Sequence, residues 1–238
     1  MSKYIVIQSF VGSGTWYKTE ENLHGLYNDV LIPSYKRYCD RHGYRHVIYT
    51  DEYELLEAVN SKSCSNHGNL YHQYLSILKH KEEDIDYIVL PDADFYVTRN
   101  AKPFPKTKGL AGDLWMKSSL QDRGKDPETF TAIYGGFQIM TKDIAMGLAE
   151  WIKQRMLDFV IKDKELQLHP NMLVVGEYLT EHQIVPEPLD FEYNYILDSI
   201  KLGERPWTDV DRDTGFWHLY GKNKSRQLRY VLQHADGI

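Results

Sequence analysis

The stretch Tyr87-Ile88-Val89-Leu90-Pro91-Asp92-Ala93-Asp94-Phe95-Tyr96-Val97 sets an apolar, β-branched run directly against two carboxylates spaced i, i+2. Ile88, Val89 and Leu90 predict a strand buried on both faces, too short and too β-branched for a helix. Strands of that kind belong to sheets covered by helices, so the run points to an α/β architecture. Carboxylates at the carboxyl end of such a strand sit where open α/β sheets bind ligands. On an extended chain the two anions lie about 6–7 Å apart and repel each other. A divalent cation removes that cost, and hard oxygen ligands suit Mg²⁺ or Mn²⁺. The competing reading is a strand-end cap beside a solvated surface residue.

The 238 residues suit one α/β domain, and 42% hydrophobic with 26% charged residues is the balance of a folded chain. A net charge of −6 argues against a general nucleic-acid binder. Local basic clusters do occur: Lys222, Lys224, Arg226 and Arg229 near the C-terminus, and Lys102, Lys106 and Lys108 in mid-chain. Cys39 and Cys64 have neither CxxC nor zinc spacing, which predicts free thiols in a reducing compartment. No apolar run reaches the length of a signal peptide or a membrane span, so the expectation is a soluble, cytoplasmic chain.

Tyr4 to Gln8 predicts a first strand, followed by the Gly/Ser loop Ser9-Phe10-Val11-Gly12-Ser13-Gly14-Thr15-Trp16. Such a loop lets backbone approach a nucleotide, although it is neither a P-loop nor GxGxxG. Leu23 to His42 carries helical periodicity, kinked or restarted at Pro33 and capped by Gly43. His46–Thr50 is the second strand, and Leu70–Lys81 is the helix leading to the Asp92-Ala93-Asp94 strand. This βαβαβ order implies parallel strands. Further on, Gly109–Trp115 and Ala132–Thr141 predict strands, the second interrupted by Gly135-Gly136. Ser118–Thr131 predicts a polar loop, Asp143–Lys162 an amphipathic helix and Val174–His182 a shorter one. No repeat or linker divides the chain.

Six segments carry a family resemblance. Asp92-Ala93-Asp94 resembles the DxD motif of GT-A nucleotide-sugar glycosyltransferases. Gly109-Leu110-Ala111-Gly112-Asp113 and Tyr134-Gly135-Gly136-Phe137-Gln138-Ile139-Met140 are similar to the strands that line the donor sugar in the glycogenin-like retaining family. His218-Leu219-Tyr220-Gly221-Lys222-Asn223-Lys224 matches that family's H-x-x-G-x-x-K pattern, and Phe191-Glu192-Tyr193-Asn194 is similar to its "Y-N" segment. Tyr35-x-x-x-Cys39-x-x-His42-Gly43-Tyr44 resembles the Golgi galactosyl/mannosyltransferase group. Order and spacing agree over about residues 4–224.

The resemblance implies a GT-A, Rossmann-like fold: a mixed, mainly parallel sheet flanked by helices in a single domain. A donor half of about 1–115 would be completed by an acceptor and metal-closing half of about 116–238. It implies a glycosyltransferase that uses Mn²⁺ or Mg²⁺, a UDP-linked sugar donor, and a saccharide or glycoconjugate acceptor. A modified nucleic acid is the alternative acceptor. Asp92, Asp94 and His218 would be the metal ligands. Ser9, Phe10, Trp16, His72, Asp92, Ala111, Gly135, Gly136, Gly221 and Lys224 would form the donor site, with Lys224 reaching the diphosphate. Asp113 and Glu177 are the catalytic candidates. Glu177 would serve as the base of an inverting reaction or orient the acceptor in a retaining one, and the His/Gly/Lys pattern favours retention.

Each residue also has a plainer reading. His218, beside Trp217 and Leu219, fits a packed histidine, and Gly135-Gly136 fits a bulge or bend. Trp16 fits a core or surface aromatic, and Glu177 a helix-surface glutamate. Where relatives place a Lys or Arg on the helix before DxD, this chain has His72 and Gln73. The enzyme rival is a haloacid-dehalogenase-type phosphohydrolase, whose DxD lies on the first strand; here it lies near residue 90. The non-enzymatic rival is a nucleotide-sugar-binding module without turnover.

Overall fold

A computed structural model describes residues 2–9, 23–49, 68–114, 133–166, 170–196, 213–219 and 224–236. The strands of its larger sheet are β1 (Tyr4–Ser9), β2 (Arg45–Tyr49), β3 (Tyr87–Pro91), β5 (Leu110–Leu114), β6 (Ile133–Thr141) and β7 (Glu187–Pro188). They lie in the order β2-β1-β3-β6-β5-β7. β1 pairs parallel with both β2 and β3, and β5 pairs parallel with β7. β6 pairs antiparallel with β3 on one side and β5 on the other. The sheet is therefore mainly parallel, with β6 reversed in its middle. That reversal brings the start of β6 to the edge where β3 and β5 end.

The register along β6 is not regular. Gly112 pairs with Gln138, yet Leu114 pairs with Ile133, so two residues along β5 are matched by five along β6. Gly135 and Gly136 fall in that extra length. The bulge that two adjacent glycines predict is present, and it faces the end of β3.

Both faces of the sheet are covered, as the Ile88-Val89-Leu90 run predicts. Ile5, Ile7, Ile88 and Leu90 pack with Tyr74, Leu75, Leu148, Ile152 and Val175. Those partners come from α3 (Gly68–Ser76), α4 (Lys142–Leu166) and α5 (Pro170–Glu181). Tyr4, Val6 and Val89 pack on the other face with Tyr35, Tyr38, Phe104 and Phe216. Tyr35 and Tyr38 come from α2 (Ile32–His42), which continues α1 (Leu23–Leu26) through a π turn at Tyr27–Leu31. Pro33 is near the start of α2, where its missing N–H costs little. Gly43 closes the helix in the left-handed region at φ 67°, as the C-cap reading expects.

A second sheet stands at the carboxyl end of β3. Its strands β4 (Phe95–Val97), β8 (Tyr195–Ile196) and β9 (Phe216–His218) lie in the order β4-β9-β8. Tyr96, Trp217 and Leu219 pack on one side against Leu228 and Val231 of α6 (Lys224–Val231) and against Tyr27 and Leu31. Phe95, Val97 and Phe216 face the main core on the other. No helix among the described residues is long and apolar enough to cross a membrane.

Gly215 sets how β9 enters this sheet. Its carbonyl accepts from Thr98 N at 2.9 Å, and a Cβ added there would lie 2.8 Å from Ala101 Cα and 2.9 Å from Ala101 Cβ. Gly215→Ala forces two backbone segments apart and is expected to cost about 1–3 kcal/mol, lowering the melting temperature by several degrees. Gly109→Ala is the control, because a Cβ there meets nothing within 4 Å. Equal melting temperatures for the two variants would show that this close approach does not hold β9.

Candidate active site

β3 ends at Pro91, and the chain then turns through Ala93 and Asp94 before β4 begins at Phe95. The turn corrects the extended geometry expected of the DxD segment. Ligand atoms of Asp92, Asp94 and His218 all lie within 4.8 Å of one another. Backbone hydrogen bonds hold the turn from both sides. Asp92 N donates to Gly136 O at 2.8 Å, in the bulge of β6, and Leu219 N donates to Asp94 O at 2.9 Å, just after β9. Gln8 Nε2 reaches Asp92 O at 3.3 Å, and Gln73 Nε2 reaches Pro91 O at 3.0 Å.

His218 arrives through strand pairing. It lies opposite Phe95 in the β4–β9 ladder, and its ring stacks on the Phe95 ring at 4.4 Å between centroids. Its Nε2 stands 3.2 Å from Asp94 Oδ1. Its Nδ1 lies 3.1 Å from Asn194 Oδ1, and Asn194 Nδ2 donates to Asp113 Oδ2. Lys224, the first residue of α6, donates from Nζ to Asp94 Oδ2 at 2.5 Å and to Leu219 O at 2.6 Å. One line of contacts thus runs Asp113, Asn194, His218, Asp94, Lys224.

The charges are unequal. Burial and the neighbouring Asp94 carboxylate push Asp92 well above the ordinary carboxylate range. Burial works on Asp94 in the same direction, but the Lys224 ammonium and His218 outweigh it and hold its carboxyl far below that range. Burial raises Asp113 to about 6, against the hydrogen bond from Asn194 and the opposing effect of the nearby His218 ring. Asp94 Oδ1 is buried and accepts no hydrogen bond among the described residues, despite the nearby imidazole. An orphaned carboxylate oxygen, a second carboxylate and an imidazole nitrogen within one ion's reach fit a divalent cation.

The remaining predicted residues are placed as follows. Ser9 ends β1, and its hydroxyl lies 2.6 Å from His72 Nδ1. Burial holds the His72 ring below its ordinary pKa, so it offers a hydrogen bond rather than a positive charge. Gln73 spends its amide on Ile7 O within β1 and on Pro91 O at the end of β3. Ala111 lies 3% exposed among Val89, Phe137 and Ile139. Gly135 and Gly136 lie in the bulge of β6 beside Asp92. Glu177 is half-buried on α5 and is not among the groups clustered with Asp92, Asp94 and His218. Lys102 of the mid-chain basic cluster is paired with Glu192 at 2.8 Å. Phe10, Trp16 and Gly221 lie outside the described residues, as do Cys64, Lys222 and the Ser118–Thr131 segment. Cys39 is a buried free thiol. The residue that site prediction left out is Asn194, whose signal was its place in the Tyr193-Asn194 pair.

No protein-family model and no curated protein sequence matches the chain. Solved structures do. A glycosyltransferase involved in the glycosylation of the major capsid of PBCV-1 is similar at TM-score 0.57 and 14% identity, over 96% of this chain and 98% of that one. The galactosyltransferase LgtC, solved in complex with donor and acceptor sugar analogs, is similar at TM-score 0.52 and 12% identity, over 95% of each chain. The likeness is one of fold and runs through both sheets: the chain has the GT-A fold, a mainly parallel six-stranded sheet flanked by helices.

Proposed function

We propose that this chain is a metal-dependent glycosyltransferase that moves a sugar from a nucleoside-diphosphate sugar, UDP-linked, to a hydroxyl of a saccharide or glycoconjugate, with retention. The observation that carries the reading is the Asp92–Asp94–His218 cluster at the carboxyl end of β3, on a GT-A fold. Asp92, Asp94 and His218 would hold Mn²⁺ or Mg²⁺. Three protein ligands leave positions for diphosphate oxygens. When bound, the cation supplies Lewis-acid stabilisation of the departing nucleoside diphosphate. Lys224, fixed beside Asp94, would add a second positive charge where negative charge builds up on the departing diphosphate.

The other residues position the donor. Asp92 N is tied to the β6 bulge, so the site is built on two strands of the main sheet rather than on a free loop. Gly135 and Gly136 carry no side chain and would leave room there for the donor sugar. Asp113, partly protonated near pH 6, can accept from or donate to a sugar hydroxyl. Ser9 and His72 would contact the nucleotide, as would Phe10, Trp16 and Gly221. Glu177 is assigned to the acceptor side. The saccharide acceptor is preferred to a nucleic acid because the chain is acidic overall and Lys102 is already paired.

A thermal-shift panel of UDP-, GDP- and CMP-linked sugars with and without Mn²⁺ tests the donor directly, since ligand binding raises apparent stability by mass action. A Mn²⁺-dependent shift with UDP-sugars, accompanied by UDP release, is expected; binding without turnover would leave a sugar-nucleotide receptor instead. Asp94→Ala and His218→Ala should each abolish metal-dependent UDP release while the circular dichroism spectrum is retained. Full activity in both variants would remove the metal site. Lys224→Ala should weaken UDP-sugar binding roughly ten- to a hundredfold, the worth of a charge-assisted hydrogen bond, and leave uridine affinity unchanged.

The raised pKa of Asp92 gives a pH test. Only the ionised carboxylate ligates a cation, so a proton held by Asp92 competes with the metal. Mn²⁺ affinity should therefore rise with pH well beyond the ordinary aspartate value of about 4 and level off once Asp92 is ionised. Calorimetry in buffers of different ionisation enthalpy should detect proton release on the acid side of that rise. The release should be absent in Asp92→Asn.

A further inference from the structure

The hydrogen bonds of Asn194 fix more than its own position. A carboxamide has one end that only accepts and one that only donates. Asn194 Nδ2 donates to the Asp113 carboxylate, so its Oδ1 is the atom facing His218 Nδ1 at 3.1 Å. The reverse orientation would set Asn194 Oδ1 against the Asp113 carboxylate, acceptor against acceptor. An acceptor at Nδ1 requires that nitrogen to carry the ring proton. In the neutral imidazole, Nε2 is then bare, and its lone pair lies on the side of Asp94 Oδ1, 3.2 Å away. Oδ1 is the same oxygen that accepts no hydrogen bond among the described residues. Two lone-pair atoms at that distance favour a cation between or beside them. The Phe95 stack fixes the plane of the His218 ring but not which nitrogen is protonated.

We propose that Asn194 is a positioning residue. It holds His218 in the Nδ1–H tautomer so that Nε2 faces the Asp92–Asp94 site, and its amide nitrogen keeps Asp113 in register with that site. The inference rests on the metal reading given under Proposed function. It adds that one amide serves two roles, which separate by substitution. Asn194→Ala removes both the acceptor for His218 and the donor for Asp113. Asn194→Asp keeps an acceptor for His218 Nδ1–H but places a carboxylate against Asp113.

Mn²⁺ binding to the full chain, followed by the electron paramagnetic resonance of free Mn²⁺, reads the first role without catalysis. Asn194→Ala should weaken Mn²⁺ roughly 10- to 100-fold, the usual cost of losing such an outer partner. Asn194→Asp should bind Mn²⁺ no more weakly than wild type, yet lose turnover of the UDP-sugar through kcat as Asp113 is repelled. Nitrogen-15 shifts of the labelled His218 ring should report Nδ1–H in wild type and in Asn194→Asp, and a mixed or reversed tautomer in Asn194→Ala. Wild-type affinity together with an unchanged tautomer in Asn194→Ala would overturn the assignment. So would an equal loss of affinity in Asn194→Ala and Asn194→Asp. If the wild-type chain itself binds no Mn²⁺, with or without UDP, the metal reading fails and the ring shifts alone decide the role of Asn194.

Discussion

Three residue pairs join β4 to β9: Phe95 with His218, Tyr96 with Trp217, and Val97 with Phe216. That short ladder starts one residue after Asp94 and brings in a segment so distant that Lys224 meets Asp94 across 130 positions of sequence. Closing so long a loop costs entropy that grows only slowly with length, but a ladder of three residue pairs does not offset it unaided. Burial supplies the rest. Phe95, Tyr96, Phe216 and Trp217 are all 2% exposed or less, and each full burial contributes about 1.5–3 kcal/mol. Alternation along β9 puts Phe216 and His218 on one face and Trp217 on the other. The residues that drive the strand into place are thus the neighbours of the residue that serves the site.

The electrostatics follow from that placement. Two ionised carboxylates with oxygens within 4.8 Å of each other repel by at least about 3 kcal/mol at an effective dielectric of 20. Burial raises both pKa values, yet the carboxylates respond in opposite directions because Lys224 and His218 both bear on Asp94. Of the pair, Asp94 is the more readily ionised and Asp92 the one whose proton is held more tightly. Adjacent, similar side chains acquire different chemistry from which partner the β4–β9 ladder and α6 deliver to each. On the proposed metal reading, a cation at this site would compete with a proton on Asp92 and would answer the Asp94 oxygen that accepts no hydrogen bond among the described residues.

The local elements were legible because local physics decides them. The β-branched run at Ile88–Leu90 is β3, buried on both faces; Gly43 caps its helix; Gly135-Gly136 forms a bulge. Pro33 restarted the helix as expected, although the π turn before it has no signature in apolar spacing. What the sequence could not show was direction and pairing. Nothing in Ile133–Thr141 states that the strand runs antiparallel between β3 and β5, yet that reversal brings Gly136 to Asp92. The Ala93–Asp94 turn was hidden for the same reason, since its closing bond comes from Leu219. Motif spacing grouped Asp92, Asp94, His218 and Lys224, which the structure brings together around the end of β3. Asn194 was overlooked because an asparagine in a tyrosine-rich turn looks like turn chemistry, and its partners lie on β5 and β9.

Asn194 also joins the two sheets at the site. Asp113 belongs to β5 of the large sheet, at the step where the β5–β6 register shifts and no ladder partner faces it among the described residues. His218 belongs to β9 of the small sheet. The bonds from Leu219 N to Asp94 O and from Thr98 N to Gly215 O extend the β4–β9 ladder within the small sheet, and neither sets the distance from His218 to Asp113. A single carboxamide spans that gap, and an amide is too short and too rigid to permit much variation. In the proposed chemistry, Asp113 faces the donor sugar and His218 faces the cation that holds the diphosphate. The separation of those two groups must match the bond between sugar and phosphate, and a displacement of about 1 Å would already misplace the reacting centre. A fixed side-chain bridge between two sheets meets that requirement better than a loop, because each end is anchored in a strand whose position the core has already determined.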